Sequence, residues 1–305
     1  MFGVLNLLKP QGITSRDVVN RVQRLVRPDK VGHAGTLDPM ATGVLLVCIG
    51  PATKLTSLLQ QGSKTYVTEF LLGMTSDTDD ITGQINGPAF NSRPPSHEDV
   101  VSCLASLTGQ ISQVPPSFSA VHVNGRRAYD LARRGEILTL QAKDVRVDSI
   151  RVLHFEWPKL VLEIVCGSGT YIRSIARDLG QRLGCGGLMS RLERTRINGF
   201  QVTSALREED LTLEQIQRHL RPPIDIVSAL PMFDCEPDDI THLQCGRLIR
   251  IDPRRYREAD SIEQHQPVAL TRGMFSELLA LAEIATDGYL QPRTVFLKDS
   301  AGTQA

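Results

Sequence analysis

Residues 31 to 43 read VGHAGTLDPMATG and hold a single carboxylate, Asp38, among small, turn-forming and apolar side chains. Between Lys30 and Lys54 Asp38 is the only acidic residue, and His33 is its only basic companion. A lone carboxylate leading into an apolar run (GVLLVCIG, 43 to 50) has two readings. Asp before Pro commonly starts a turn, because the residue before proline is pushed out of the helical region and the Asp side chain accepts from nearby backbone N–H groups. The other reading is a reactive group. A nucleotide-phosphate cradle is disfavoured, since Gly32, Gly35 and Gly43 do not make GxGxxG and no GK[ST] closes a Walker loop.

A second stretch, LVLEIVCGSGTYIRSIARDLGQRLG (160 to 184), carries a cation in an awkward place. A strand over Leu160 to Cys166 runs into a Gly-Ser-Gly turn, and Ile172, Ile175, Ala176, Leu179 and Leu183 then form a helical stripe. With Thr170 as the N-cap, Arg173 falls in the first turn, where the helix dipole disfavours a cation by about 0.3 kcal/mol or more. Such an arginine wants an anion, unless it is a surface residue whose stem covers apolar area and whose head reaches water.

The surrounding pattern supplies the elements that must position these groups. SRDVVNRVQRLV (15 to 26) puts Val18, Val22, Leu25 and Val26 on one helical face, with Thr14 or Ser15 as cap. YVTEFLL (66 to 72) alternates as a strand with Tyr66, Thr68 and Phe70 on one side. TSDTDDITGQING (75 to 87) is a polar loop, Ser96 to Leu107 is a helix capped by Ser96 and stopped at Gly109, and Asn124-Gly125 marks a turn before a short basic helix. Beyond Pro222-Pro223, short apolar segments (247 to 251, 267 to 271, 278 to 285, 294 to 297) between polar, Gly or Pro stretches predict a small β-rich appendage.

A chain of 305 residues, 41% of them hydrophobic, supports a large domain with a smaller one attached. Basic and acidic residues balance at 34 each, so a polyanionic partner must be read from charge distribution. Arginines cluster at 16, 21, 24 and 27, at 126, 127, 133 and 134, at 182, 191, 194 and 196, and at 254, 255 and 257, which together suggest a basic face. The six cysteines lack CxxC spacing and read as reduced core residues, and His242, Cys245 and Cys235 lack paired ligand spacing, so no metal site is expected. No leader pattern and no apolar run near the ~20 residues of a membrane span is present, so a cytoplasmic protein is expected.

With these stretches in view, the chain resembles the TruB family of pseudouridine synthases. The likeness lies in GVLNLLKPQGITS, GHAGTLDPMATGVL, KTYVTEFLLG, TSDTDDITG, QVPPSFSAVHVNGRRAYDLARRG and GTYIRSIARDLG, in that order over most of residues 1 to 200. The resemblance implies an α+β fold: a catalytic domain (1-224) on a mixed, mainly antiparallel sheet flanked by helices, and a small β-rich PUA-like RNA-binding domain (225-305). It implies conversion of uridine to pseudouridine in the T arm of tRNA, at position 55, with Asp38 as nucleophile. Arg173 then pairs with Asp38, Tyr66 stacks on the target base and helps remove its C5 proton, Tyr171 and Leu192 line the uridine pocket, and His33 helps hold flipped loop nucleotides. Read on residue type alone, Tyr66 is a core aromatic of a strand, Leu192 a helix core position and His33 a polar turn residue.

The implied isomerisation gains and loses no atom and changes no oxidation state, so neither metal nor organic cofactor is expected. The partner expected is the tRNA T-arm stem-loop, bound by a monomer without an obligate protein partner, the target base being extruded from its stack. Two positions depart from the family pattern: Leu8 stands where Asp or Asn usually precedes Lys-Pro, and His122 where a lysine is usual. Two other functions compete. One is a non-catalytic RNA-binding or RNA-folding protein on the same scaffold; the other is a glycosidase-like enzyme, which would need a second carboxylate as its general acid.

Overall fold

The computed structural model describes all residues except 88–93, 120–121, 124–125, 128–130, 132–133, 135–139, 258–265, 286–287 and 298–305, with side chains also undescribed at 122–123 and 126–127. The Asn124-Gly125 turn, most of the basic helix expected after it and the His122 side chain lie outside the described residues; Arg126–Arg127, expected in that helix, instead form a short strand paired with His122–Val123.

Every side chain from Val44 to Ile49 is fully buried, so the apolar run after Asp38 is a strand covered on both faces. This strand, Thr42–Ile49, lies in a ten-stranded sheet ordered Leu206–Arg207, Gly3–Lys9, Thr42–Ile49, Gly187–Ile197, Lys64–Leu72, Lys159–Cys166, Lys143–Glu156, Gly109–Gln113, with two short strands, Val31–Ala34 and Phe200–Gln201, paired off this path. Pairing is mainly antiparallel. The exceptions are Gly3–Lys9 with Leu206–Arg207, and Thr42–Ile49 with Gly187–Ile197.

That second parallel contact is brief. Gly187–Ile197 meets Thr42–Ile49 only at Glu193↔Thr42 and Arg194↔Gly43, while Val31–Ala34 pairs with the same strand over residues 46–49. The sheet forks there, and the loop holding Asp38 joins one arm, Val31–Ala34, to the shared strand Thr42–Ile49. Gly43 makes the junction possible: at φ +106 an added Cβ would lie 2.2 Å from the Arg194 carbonyl oxygen.

Helices cover the sheet. Ser15–Val26 begins in a Thr14/Asp17 capping box, and its Val18, Val19, Val22 and Val26 pack on Leu5, Leu7, Leu45, Val47 and Ile49. Val19 rather than Leu25 completes the buried face; Leu25 is 38% exposed because it falls on the flank of the stripe. Ile172–Arg182 packs Ile172, Ile175, Ala176 and Leu179 against Phe70, Leu160, Leu162 and Ile164. Burying each of the Val, Leu and Ile side chains contributes roughly 1.5–3 kcal/mol. His97–Ala105 carries the expected Ser96 cap, in a capping box with Asp99.

Residues beyond 231 build a second sheet of six strands, ordered Ile249–Arg250, Tyr289–Val295, Glu277–Ile284, Pro267–Arg272, Met232–Asp234, Tyr256–Arg257. It has its own core (Phe233, Leu270, Leu279, Leu290 among others) and a second apolar cluster in which Met232, Leu278 and Phe296 meet Leu55, Leu58 and Phe2. The expected α+β architecture with a small β-rich unit is the fold observed. All cysteines described are free; Cys48, Cys166, Cys185 and Cys235 are buried, whereas Cys245 is exposed and Cys103 half-buried, so the core assignment fails for those two.

Candidate active site

Asp38 lies between the Val31–Ala34 and Thr42–Ile49 strands, in a loop anchored by its own apolar side chains. Leu37, Met40 and Ala41 are all buried. The buried Ser15 hydroxyl holds Leu37 twice, accepting from its N–H at 2.9 Å and donating to its carbonyl at 3.1 Å. Lys9, fully buried, donates from Nζ to the carbonyls of Pro39 (3.2 Å), Ala41 (2.7 Å) and Pro10 (2.9 Å). Burial pushes the Lys9 ammonium down to about 8, with Asp38 opposing that fall.

The loop so fixed presents the Asp38 carboxylate, 36% exposed, to a cavity of about 440 Å³. Among the described residues no backbone N–H donates to it, which removes the turn-cap reading; its ion-pair partner is Arg173, with Nε 3.1 Å from Oδ2. Burial raises the Asp38 carboxyl above its ordinary value. Arg173 opposes that rise, Asp80 adds to it and Lys9 opposes it.

Arg173 is itself 8% exposed and uses all three nitrogens. Besides Asp38, Nη1 donates to the Thr78 carbonyl at 3.1 Å and lies 3.5 Å from Asp80 Oδ2, while Nη2 donates to the Phe118 carbonyl at 3.2 Å. The helix starts at Ile172, one residue later than Thr170 capping would give, with Tyr171 as N-cap. Gln113 replaces a side-chain cap by gripping Tyr171 through both backbone groups, at 2.8 and 3.1 Å. Four polar contacts thus offset the first-turn penalty on Arg173.

Asp80 belongs to the segment read from sequence only as a polar loop. Its Oδ1 accepts from the Thr78 hydroxyl (2.8 Å), Thr82 N–H (2.9 Å) and Thr82 hydroxyl (2.5 Å), leaving Oδ2 toward Arg173. One helical turn on, Arg177 pairs with Asp79 at 2.9 Å and donates to the Val114 carbonyl at 2.8 Å, fixing the same loop while Asp79 holds φ 60. A second carboxylate therefore does stand near Asp38, although the motif around Asp38 lacks one. Its Oδ1 is taken by Thr78 and Thr82, and its Oδ2 faces Arg173.

Tyr66, Tyr171 and Leu192 all line the cavity with Asp38 and Arg173. Tyr66 and Leu192 are each 9% exposed. Leu192 is on a strand, not a helix: Gly187–Ile197 pairs along Lys64–Leu72, with Leu192 opposite Thr68. Burial raises both tyrosine phenols, opposed at Tyr66 by the Arg194 charge and at Tyr171 by Ser119 and Arg173 beside it. His33 does not line this cavity. It sits half-buried in Val31–Ala34, and burial, with Arg16 and Arg194 nearby, lowers its pKa and keeps the ring neutral.

The arginine clusters divide. Arg16, Arg24 and Arg27 are exposed, but Arg194 is 2% exposed, Arg254 pairs with Asp252 at 2.8 Å, and Arg255 pairs with Asp239 while stacking 4.5 Å from the Phe233 ring centroid. Arg194 and Arg255 serve the interior, so the basic surface is smaller than the sequence clusters suggest. Leu8, at the departing position, is a half-buried strand residue opposite Val44 and Arg207. Among the described residues no His, Cys, Asp and Glu cluster could hold a metal, and no helix is long and apolar enough to cross a membrane.

Comparison with known proteins follows the same outline. Residues 23–172 match the TruB family pseudouridylate synthase N-terminal domain, and residues 173–223 the tRNA pseudouridylate synthase B C-terminal domain. The tRNA pseudouridine synthase B of Microcystis aeruginosa is 38% identical over 304 residues, covering 97% of this chain and 99% of that protein. That of Cereibacter sphaeroides is 41% identical, covering 88% and 91%. A chain of a solved Cbf5-Nop10-Gar1 complex superposes with TM-score 0.74 at 24% identity, covering 97% of this chain and 85% of its own, a likeness of fold. Full-length relatives at this identity leave no room for a different scaffold, and the chain belongs to the TruB family of pseudouridylate synthases.

Proposed function

We propose that the chain isomerises uridine to pseudouridine at position 55 in the T arm of tRNA, with Asp38 as the nucleophile. The observation that carries this is the Asp38–Arg173 pair at the wall of a cavity large enough for one base. A carboxylate that caps no turn, yet is held by a loop of buried anchors, is built for something outside the fold.

Asp38 attacks either C1′ of the ribose or C6 of the base, and the N1–C1′ bond breaks with its electron pair leaving on the uracil. The freed uracil turns, and C5 bonds to C1′ as the bond to the carboxylate is released. Tyr66, as phenolate, then takes the C5 proton; the C5–H pair becomes the C5=C6 bond, the C6=N1 pair withdraws to N1, and N1 takes a proton from water. Tyr66 returns its proton to solvent, so the net change is a proton moved from C5 to N1. Arg173 keeps Asp38 oriented and favours its anionic form against burial. Tyr171 and Leu192 flank the base. His33, outside the cavity but beside it in sequence and strand, contacts neighbouring loop nucleotides.

The protein acts as a cytoplasmic monomer on the T-arm stem-loop, without metal or organic cofactor, because the reaction conserves atoms and oxidation state. Residues 1-224 form the catalytic domain, and residues 225-305 form a PUA-like unit that adds RNA contacts. Exposed arginines contact phosphates, while shape and splayed bases give specificity. Pseudouridine mapping on T-arm RNA treated with pure protein tests the reading. RNA bound tightly with no pseudouridine formed would return the chain to the non-catalytic alternative.

A further inference from the structure

Arg194 is the largest side chain among the fully buried ones, yet among the described residues no carboxylate lies within ion-pair distance of it. An isolated charge is costly to bury and is normally neutralised by a partner. Here the guanidinium is held by backbone: Nε donates to the Val44 carbonyl at 2.8 Å and Nη2 to the Gly35 carbonyl at 3.0 Å. Gly35 holds φ +90, a backbone conformation that glycine adopts without strain, and this turns its carbonyl toward the guanidinium. Its remaining contact is functional in position. Arg194 stands directly across the strands from Tyr66, so the two side chains share one face of the sheet, and both line the cavity with Asp38.

We propose that Arg194 is a positioning residue for the isomerisation, holding the Tyr66 hydroxyl through a guanidinium fixed by Val44 and Gly35 and supplying the positive charge beside which that hydroxyl works as a base. The proposal rests on the reading of Tyr66 as the group that takes the C5 proton. A phenol buried to 9% exposure resists ionisation, and a phenolate there needs a cation at contact. Of the other described groups facing Tyr66, Cys166 and Asp38 oppose its ionisation, which leaves Arg194, among the described residues, as the one that favours it. Lys9, Lys64 and His33 face Arg194 in turn; the first two add positive charge to the same interior, and His33 is kept neutral in part by Arg194. The uncompensated charge and the cost of the phenolate cancel each other only when Tyr66 is ionised.

The test is single-turnover pseudouridine formation against pH on T-arm RNA carrying uridine or 5-deuterouridine, for the unaltered protein, Arg194→Gln, Arg194→Lys and Tyr66→Phe. Thermal unfolding and RNA affinity are measured on each preparation. The expected result for Arg194→Gln is a slower step, a rate that rises only at higher pH, and a larger C5 deuterium isotope effect; lysine, keeping one charged donor, restores part of each. Replacing Tyr66 by 3,5-difluorotyrosine, whose phenol ionises more easily, should rescue Arg194→Gln. If glutamine unfolds the chain, the same comparisons are made on Arg194→Lys, where difluorotyrosine must again restore rate. A pH profile and isotope effect unchanged in a folded Arg194 variant, or a loss that difluorotyrosine leaves unrepaired, overturns the proposal. Tyr66→Phe retaining the rate and isotope effect of the unaltered protein would instead remove the base role of Tyr66, and the proposal with it.

Discussion

Arg173 Nε stands 3.1 Å from Asp38 Oδ2, joining a loop residue near the start of the chain to the first turn of a helix more than a hundred residues later. The same guanidinium faces Asp80 Oδ2 at 3.5 Å. One cation thus serves two carboxylates of different exposure, 36% for Asp38 and 5% for Asp80. The exposed one is free to meet substrate, and the buried one fixes the arginine.

Asp38→Asn should keep the fold and T-arm affinity and abolish pseudouridine formation. Burial raises the folded-state pKa of Asp38, so its ionisation costs stability as pH climbs through and beyond the ordinary carboxylate value. The amide removes that cost, and thermal unfolding at neutral pH should show unchanged or higher stability, the change staying within about 1 kcal/mol. Substantial turnover by the folded variant would end the nucleophile assignment.

Arg173→Met should cost turnover far more than RNA affinity, on the order of 10²-fold or more for loss of a positioned cation. It should also destabilise the fold by roughly 3–5 kcal/mol, because Asp80 is left buried without its cation. Single-turnover kinetics beside a binding titration and urea unfolding separate these effects. Equal losses in rate and affinity would make Arg173 an RNA contact.

Asp80→Asn should slow turnover less than Asp38→Asn and move the acid limb of the pH–rate profile to lower pH. Asp80 is one of the groups raising the Asp38 carboxyl, so removing its charge eases ionisation of Asp38. An acid limb that stays put or moves upward would show that the two carboxylates do not sense each other.

Lys9 should leave its mark on stability at alkaline pH. Its folded value of about 8 lies below the ordinary 10.5, so the unfolded chain holds the extra proton between those limits and stability should rise with pH across that window. Lys9→Met should flatten the rise, as read from denaturant midpoints below and above pH 8. A rise of equal size in the variant would assign it to another group.

RNA affinity should fall steeply with salt, and neutralising Arg16 or Arg27, both exposed, should each lower the slope by about 1 if they contact phosphates. Arg255→Gln should instead lower the melting temperature, since that side chain is tied to Asp239 and Phe233. A salt-independent affinity would place the RNA away from these arginines.

The sequence by itself determined the local facts: the Ser15 to Val26 helix with a cap at Thr14 or Ser15, the buried strand after Asp38, the strand alternation that puts Tyr66, Thr68 and Phe70 on one side, and the first-turn position of Arg173. Each follows from side-chain periodicity or cap chemistry, which act over a few residues. Tertiary structure alone decided what those groups meet. Leu192 could not be assigned to a strand because an apolar residue between charged ones fits either period, and the pairing with Lys64–Leu72 chose. Asp80 was one carboxylate of three in a polar loop until Thr78 and Thr82 took one oxygen and Arg173 the other. Arg194 looked like surface charge because arginine usually is; only the forked sheet, with Gly43 letting the two backbones meet at Arg194, could bury it beside Tyr66. Charge pairing across the fold depends on distances that no spacing along the chain encodes.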